Sequence, residues 1–411
     1  MPTKEEVTVD FDHHRTIHEI DPDEAYEQLR RTHPVAWTEA HGGYWVLTRY
    51  EDVYRVLREY KTFSSRDGMA IPPHPSVDIG IPVHLDPPLH SAYRRAMNPY
   101  MTKDAVQVLK ERIRHWTTHY IDRVIESGEC DLAYDLCVPI PGAVTLEWIG
   151  WEQRDEWDRI AVAWHDLLAW PLDHPRAKHS HQDLAWFSGR VAEEIAARRA
   201  EPRDDVLTYV ANLEIEGEKI DEQRAVAMAT VWVAGGVDTA TTFMLGGLAH
   251  LHHHHDHRRR LIDDPDVWDA AMDEMIRRYA PTRTTGRTVL ERTEIGGVTM
   301  EPGDRILVVM SAANLDPEQF PDPYTVDFDR HKGDKHMSFG AGVHKCVGMH
   351  LGRQEFREIV GQILRRMPDY RLVEDKVAPY ERQSEMRGWT QMPAVFTPGT
   401  RIGDAEPVLA A

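Results

Sequence analysis

A stretch of about thirty residues beginning at Asp221 constrains the fold of this chain more than any other. From Ala225 it runs Ala-Val-Ala-Met-Ala-Thr-Val-Trp-Val-Ala-Gly-Gly-Val-Asp-Thr-Ala-Thr-Thr-Phe-Met-Leu245, apolar almost all round. A helix with no polar face has nothing to offer water, so it is expected to run through the centre of the protein. Asp221 suits the N-cap, and at 1.5 Å per residue the helix spans about 45 Å. Two features do not suit a mere packing helix. Gly235-Gly236 costs about 1 kcal/mol per glycine relative to alanine. Asp238 puts a carboxylate among apolar groups, which is unfavourable unless it has a partner or a task.

The second informative stretch is His336-Met-Ser-Phe-Gly-Ala-Gly-Val-His-Lys-Cys-Val-Gly348. It carries Cys346 into a segment where Phe356, Ile359, Val360, Ile363, Leu364 and Met367 recur at helical spacing. A cysteine at a helix start meets unpaired amides and the positive end of the helix dipole, both of which favour a thiolate. Gly340, Gly342 and Gly348 clear side chains from around it, as if something flat and large lies against the backbone. A thiolate beside a flat partner suggests haem iron. The alternative is a buried structural cysteine in a glycine-rich cap.

Bulk properties bound the remaining choices. The chain has 411 residues, 41% hydrophobic and 28% charged, with no linker, repeat or low-complexity block. That composition fits one large, mainly α body with a minor β part. A net charge of −20 argues against nucleic acid or an anionic membrane as the main partner. A polar N-terminus and the absence of any run of eighteen apolar residues lead us to expect a cytoplasmic protein without a membrane anchor. Three cysteines do not make a disulfide framework, and Cys130 and Cys137 read as packing residues.

The motif Phe339-Gly-x-Gly-x-His-x-Cys346-x-Gly348 resembles the haem-ligand loop of the cytochrome P450 family, and Gly235-Gly-Val-Asp-Thr239 resembles that family's oxygen-activation motif. The resemblance extends along nearly the whole chain, with its motifs in the family's order. It implies a mainly α fold with a small β portion, in which a long central helix lies over a haem and Cys346 ligates the iron. We therefore expect a single domain over 1–411. Its β-containing lobe takes in about 20–62, 281–310 and 371–400, and its helical body about 90–280 and 347–367.

Further assignments follow from the same resemblance. The cofactor is haem b, contacted by Ala234, Gly235, Phe339, Gly340, Cys346 and Gly348, with its propionates held by His90, Arg94, Arg287 and His344. Thr239 hydrogen-bonds dioxygen, and Asp238 relays protons from solvent as general-acid chemistry requires. Glu274 and Arg277 form a buried ion pair; Thr325 stands where the family often has arginine, which leaves the third member of that cluster in doubt. Substrate is expected to meet residues 64–89, the break near 170–180, Val231, Ala234, Thr282–Thr285, Met386 and Arg387. Arg283 or Arg387 would bind a substrate carboxylate if turned inward, although a surface arginine is the more ordinary reading.

The implied activity is insertion of one oxygen atom from dioxygen into a small, largely apolar molecule such as a terpenoid or aromatic. The sequence contains no flavin or nicotinamide fingerprint, so a ferredoxin or flavodoxin is expected to deliver electrons near Arg94, Arg95 and Lys345. Peroxygenase or oxidative-coupling chemistry is the enzymatic alternative, and a haem sensor or ligand carrier the non-enzymatic one. The run His250-Leu-His-His-His-His-Asp-His257 can hold a transition metal in vitro but reads as the solvated end of the central helix.

Overall fold

The computed structural model describes residues 3–73, 80–331, 333–382 and 384–403. Of the loop expected to line the substrate region, residues 74–79 lie outside the described residues. The chain is about 53% helical with a small sheet portion and divides into two compact units. One comprises Met1–Arg95, Asp273–Val347 and Arg382–Arg387; the other comprises Ala96–Met272, Gly348–Glu381 and Gly388–Ala411.

In the first unit, a five-stranded sheet runs in the order Val35–Thr38, Tyr44–Leu47, Arg305–Val309, Thr284–Val289, Phe63–Ser64. Its opening hairpin pairs Trp37 with Trp45 across a turn at Gly42-Gly43. Gly43 adopts φ 93°, and a Cβ there would stand 2.3 Å from the Trp37 ring, so only glycine fits. The sheet is buried on both faces. Trp45, Leu47, Ile306 and Val308 enter one apolar cluster, while Tyr44, Val46, Leu307 and Val309 enter the other. Burial on both sides explains why Ile306-Leu-Val-Val309 reads as an unbroken apolar run.

In the second unit, the central helix occupies Glu222–His253, capped by the Asp221 carboxylate, which accepts from the Arg224 N–H. It packs against helices Pro139–Ile149, Trp157–Ala169, Pro175–Ala200 and Met349–Arg366. Phe243 and Phe356 stack with ring centroids 4.2 Å apart, joining the central helix to the one that follows the cysteine loop. The helix break expected near Trp170 is present, since one helix ends at Ala169 and the next begins at Pro175.

The C-terminal strands depart from expectation. Arg371–Leu372 and Pro393–Val395 form a sheet with Glu129–Asp131, so they belong to the helical unit rather than to the β lobe. Strands of two or three residues carry no periodicity that could specify their partner. No helix among the described residues is long and apolar enough to cross a membrane.

Candidate functional site

The loop before Cys346 is shaped by close packing. Gly342–His344 forms one 3-10 turn, and the Cys346 N–H donates to Phe339 O at 2.8 Å. Gly340 and Gly342 take left-handed φ values of 66° and 68°. A Cβ on Gly342 would lie 2.6 Å from Leu57 O, on the helix Tyr50–Arg58. Gly348 differs, because among the described residues no atom beyond its own chain neighbours and local helix backbone lies within 4 Å of where its Cβ would be. The demand for glycine there does not come from the protein's own packing. Lys345 and Cys346 are exposed.

Four side chains from distant parts of the sequence gather beside this loop. The His90 and His344 rings lie 4.1 Å apart. Arg94 Nη1 donates to Lys345 O at 2.7 Å. Arg287 is buried, with Nη1 donating to Thr285 Oγ1 and Gly286 O. Burial and then Arg94 push His90 down to about 4, while burial and then Arg287 push His344 down to about 2. Burial likewise lowers Arg287 to about 10. Both ring nitrogens of His90, Nε2 of His344 and Nε of Arg94 are buried with no hydrogen-bond partner among the described residues.

Buried polar groups without partners are rare because each costs about 1–3 kcal/mol. Two guanidiniums and two unsatisfied imidazoles form a donor set that lacks an anion, and the two propionates of haem are anions of the required kind. The residues present therefore fit the cofactor. His84, in the stretch 64–89 expected to meet substrate, lies near the same group: its ring is held below its usual value by burial and then by Arg287.

On the central helix, Asp238 is fully buried. Its Oδ1 accepts from Tyr380 Oη at 2.7 Å and from His165 Nδ1 at 2.8 Å. Burial, and then the Asp238 charge, raise the Tyr380 hydroxyl well above its ordinary value, which keeps it an O–H donor. The same carboxylate selects the His165 tautomer with its proton on Nδ1. Asp238 Oδ2 and His165 Nε2 are buried without hydrogen-bond partners among the described residues. The carboxylate is therefore enclosed, as a position on an apolar helix leads one to expect, with His165 and Tyr380 sealing it on the Oδ1 side. Neither residue carries a local signal, as one is a lone histidine in the helix Trp157–Ala169 and the other follows a two-residue strand.

Thr239 Oγ1 donates to Gly235 O at 2.7 Å, one turn back. Val231, Ala234 and Thr239 are half-buried and Gly235 is exposed, forming an open stripe on an otherwise buried helix. The two adjacent glycines have different causes. A Cβ on Gly236 would sit 2.7 Å from Thr145 Oγ1, so that glycine serves helix packing, whereas Gly235 meets no chain atom within 4 Å.

The buried Glu274–Arg277 pair lies in a cluster of three residues. Arg277 Nε and Nη2 donate to the two Glu274 oxygens at 2.7 and 2.9 Å, both residues being buried. The third member is not at position 325. Arg330 Nε donates to Glu274 Oε2 at 2.9 Å, and Thr325 contributes its backbone carbonyl to both arginines. Burial pushes the Glu274 carboxyl up, but hydrogen bonding and charge from Arg277 outweigh it and hold the group below its usual value.

Arg283 is buried and Arg387 half-buried, and both are engaged by an acid of the chain itself. Arg283 is 3% exposed. Asp23 accepts from Arg283 Nη1 at 3.0 Å, from Arg278 Nη1 at 2.8 Å and from Arg387 Nη2 at 2.6 and 2.7 Å. An internal acid thus takes one donor nitrogen from each of them, Arg283 Nη1 and Arg387 Nη2. Thr282 and Met386 meet in an isolated antiparallel bridge in the same unit. Of the basic residues expected at a docking face, Arg95 and Lys345 are exposed, while Arg94 is half-buried.

The family described as cytochrome P450 matches residues 159–368. A steroid C26-monooxygenase of Mycolicibacterium smegmatis is 31% identical over 387 residues, covering 92% of this chain and 94% of that protein. A linalool 8-monooxygenase of Pseudomonas putida is 29% identical over 366 residues, covering 84% and 88%. The solved structure of cytochrome P450 CYP109Q5 from Chondromyces apiculatus superposes with a TM-score of 0.83 at 25% identity, covering 96% of this chain and 99% of that one. That of CYP109E1 from Bacillus megaterium in complex with testosterone gives 0.82 at 22% identity, covering 92% and 99%, a likeness of fold alone. The chain belongs to the cytochrome P450 family and is a haem-thiolate monooxygenase.

Proposed function

We propose that this enzyme oxygenates an apolar terpenoid or steroid at a C–H or double bond, with Cys346 as the iron ligand and electrons drawn from a separate ferredoxin or flavodoxin. The observation that supports the ligand assignment is the set of buried polar atoms beside the Cys346 loop: His90, Arg94 and His344 hold atoms without a hydrogen-bond partner among the described residues, and an added anion would engage their N–H groups. The haem, when bound, supplies the iron at which dioxygen is activated. The substrate class rests on the apolar open stripe at Val231, Ala234 and Gly235 and on the names of two relatives, a steroid and a linalool monooxygenase.

The chain's own residues have defined tasks in this reading. His90, Arg94, Arg287 and His344 orient the cofactor through its propionates. Thr239 can turn its O–H from Gly235 O toward an acceptor on the open side of the stripe. Asp238 Oδ1 is saturated by Tyr380 and His165, which leaves Oδ2 as the oxygen able to take up and release a proton. His165, whose Nδ1–H points at Oδ1, holds the carboxylate in place so that Oδ2 keeps a fixed position. Exposed Arg95 and Lys345, on a chain of net charge −20, offer an acidic electron carrier a local attraction.

Turnover of a steroid and monoterpene panel with a ferredoxin system under isotopically labelled dioxygen tests this reading. One labelled oxygen atom per product is expected. Unlabelled product, or equal turnover with peroxide and no reductant, would overturn it.

A further inference from the structure

The histidine run at the end of the central helix is divided by helical geometry into two sets. His250, His254 and His257 gather where the central helix, ending at His253, meets the helix His255–Asp263, and each brings a ring nitrogen within 4.8 Å of the other two. His252 and His253 instead stand beside Glu374, with ring nitrogens 3.1 and 3.7 Å from its Oε1. We propose that His250, His254 and His257 bind one divalent transition-metal ion, with zinc as the type case, at a site separate from the haem centre.

Three neutral imidazoles suit zinc, nickel or copper and do not suit calcium or magnesium, which take oxygen ligands. His250 Nε2 and His257 Nδ1 face each other at 2.8 Å, a contact that requires a proton between them. Two nitrogens bound to one tetrahedral zinc at 2.0–2.1 Å stand about 3.3 Å apart. Opening the pair by about half an ångström therefore exchanges the shared proton for an ion, with one ring shifting its proton to its other nitrogen. The His254 ring stacks on His250 with centroids 4.1 Å apart, so the third nitrogen arrives by a side-chain rotation.

Burial is graded as a binding site needs. His250 is buried at 3% exposure and fixed by the helix, His257 is intermediate, and His254 is exposed and leaves an entry path. The backbone between them is continuous hydrogen-bonded turn, since His254 N–H donates to His250 O and Arg258 N–H donates to His254 O, each at 3.0 Å. The second set is less suited. His252 Nδ1 accepts from the Leu372 N–H at 3.3 Å, and its Nε2 donates to the exposed Glu374 carboxylate at 3.1 Å.

The test is titration of the haem-loaded full chain, prepared without a histidine tag, with zinc alone at neutral pH. Calorimetry is expected to show one saturable equivalent per chain. His254→Ala and His257→Ala should each weaken it at least tenfold and abolish the zinc-dependent rise in melting temperature, while His253→Ala should change neither. The haem spectrum checks the fold of each variant, and His254→Gln, at an exposed position, replaces any that misfolds. No saturable binding, binding that survives His257→Ala and His254→Gln, or binding lost in His253→Ala would overturn the proposal.

Discussion

The neighbourhoods of Cys346 and Asp238 solve the problem of buried polarity in opposite ways. Beside Cys346, in one unit, four imidazole and guanidinium groups are held together although atoms of three of them lack partners. Around Asp238, in the other unit, one carboxylate oxygen is met by two donors from the same unit at 2.7 and 2.8 Å, while Oδ2 has no partner among the described residues. The first arrangement is incomplete without a guest and should fold more firmly with it, because a ligand that binds only the native state adds its binding free energy to stability. The second holds its carboxylate in place from the outset, which is what proton handling at a fixed atom requires.

That contrast can be tested from both sides. The largest expected effect is a control within the first unit. Glu274→Gln breaks a buried, fully satisfied ion pair and should lower stability by about 3–5 kcal/mol with or without haem, as read by chemical denaturation. Arg287→Leu should behave differently. It removes a charge-assisted contact worth about 1.5–3 kcal/mol to the bound cofactor, weakening haem retention roughly ten- to a hundredfold in a transfer assay, while the haem-free chain unfolds at an unchanged denaturant concentration. A loss of stability in the haem-free chain would break the distinction.

His165→Phe reverses the pattern. Asp238 loses one of its two donors, so the haem-free chain should lose about 1.5–3 kcal/mol while haem retention is unaltered. Turnover should release more peroxide per electron consumed, and the pH profile of coupling should shift. A purely structural His165 would move only the melting temperature. The smallest effect is expected at the exposed face: Lys345→Glu should slow ferredoxin-supported turnover severalfold at low salt and little at high salt, since exposed charges are screened within about 10 Å at 0.1 M.

Much of this was legible in the sequence where chemistry is local. The cysteine loop, the all-apolar helix with its Asp221 cap and the Gly42-Gly43 hairpin each declare themselves in one continuous stretch, and the Glu274–Arg277 pair followed from the family resemblance. What was not legible is pairing across long separations. Asp23 captures Arg278, Arg283 and Arg387 from more than 250 residues away, so two arginines assigned to a substrate pocket turned out to be neutralised inside the protein. Arg330, rather than position 325, completes the Glu274 cluster because a loop folds back, and loop register has no periodic signature. His165 and Tyr380 find Asp238 through tertiary packing that hydrophobic spacing does not encode. The strand Glu129–Asp131 draws the C-terminal strands out of the β lobe for the same reason.

The central claim is that Cys346 supplies the thiolate to the haem beside the His90, Arg94, Arg287 and His344 cluster. The ferrous–carbon monoxide spectrum of Cys346→Ser measures this directly. The account predicts that haem still binds, held by the propionate donors, and that the thiolate-type band is absent. A variant that retains the parent's thiolate-type band would contradict it.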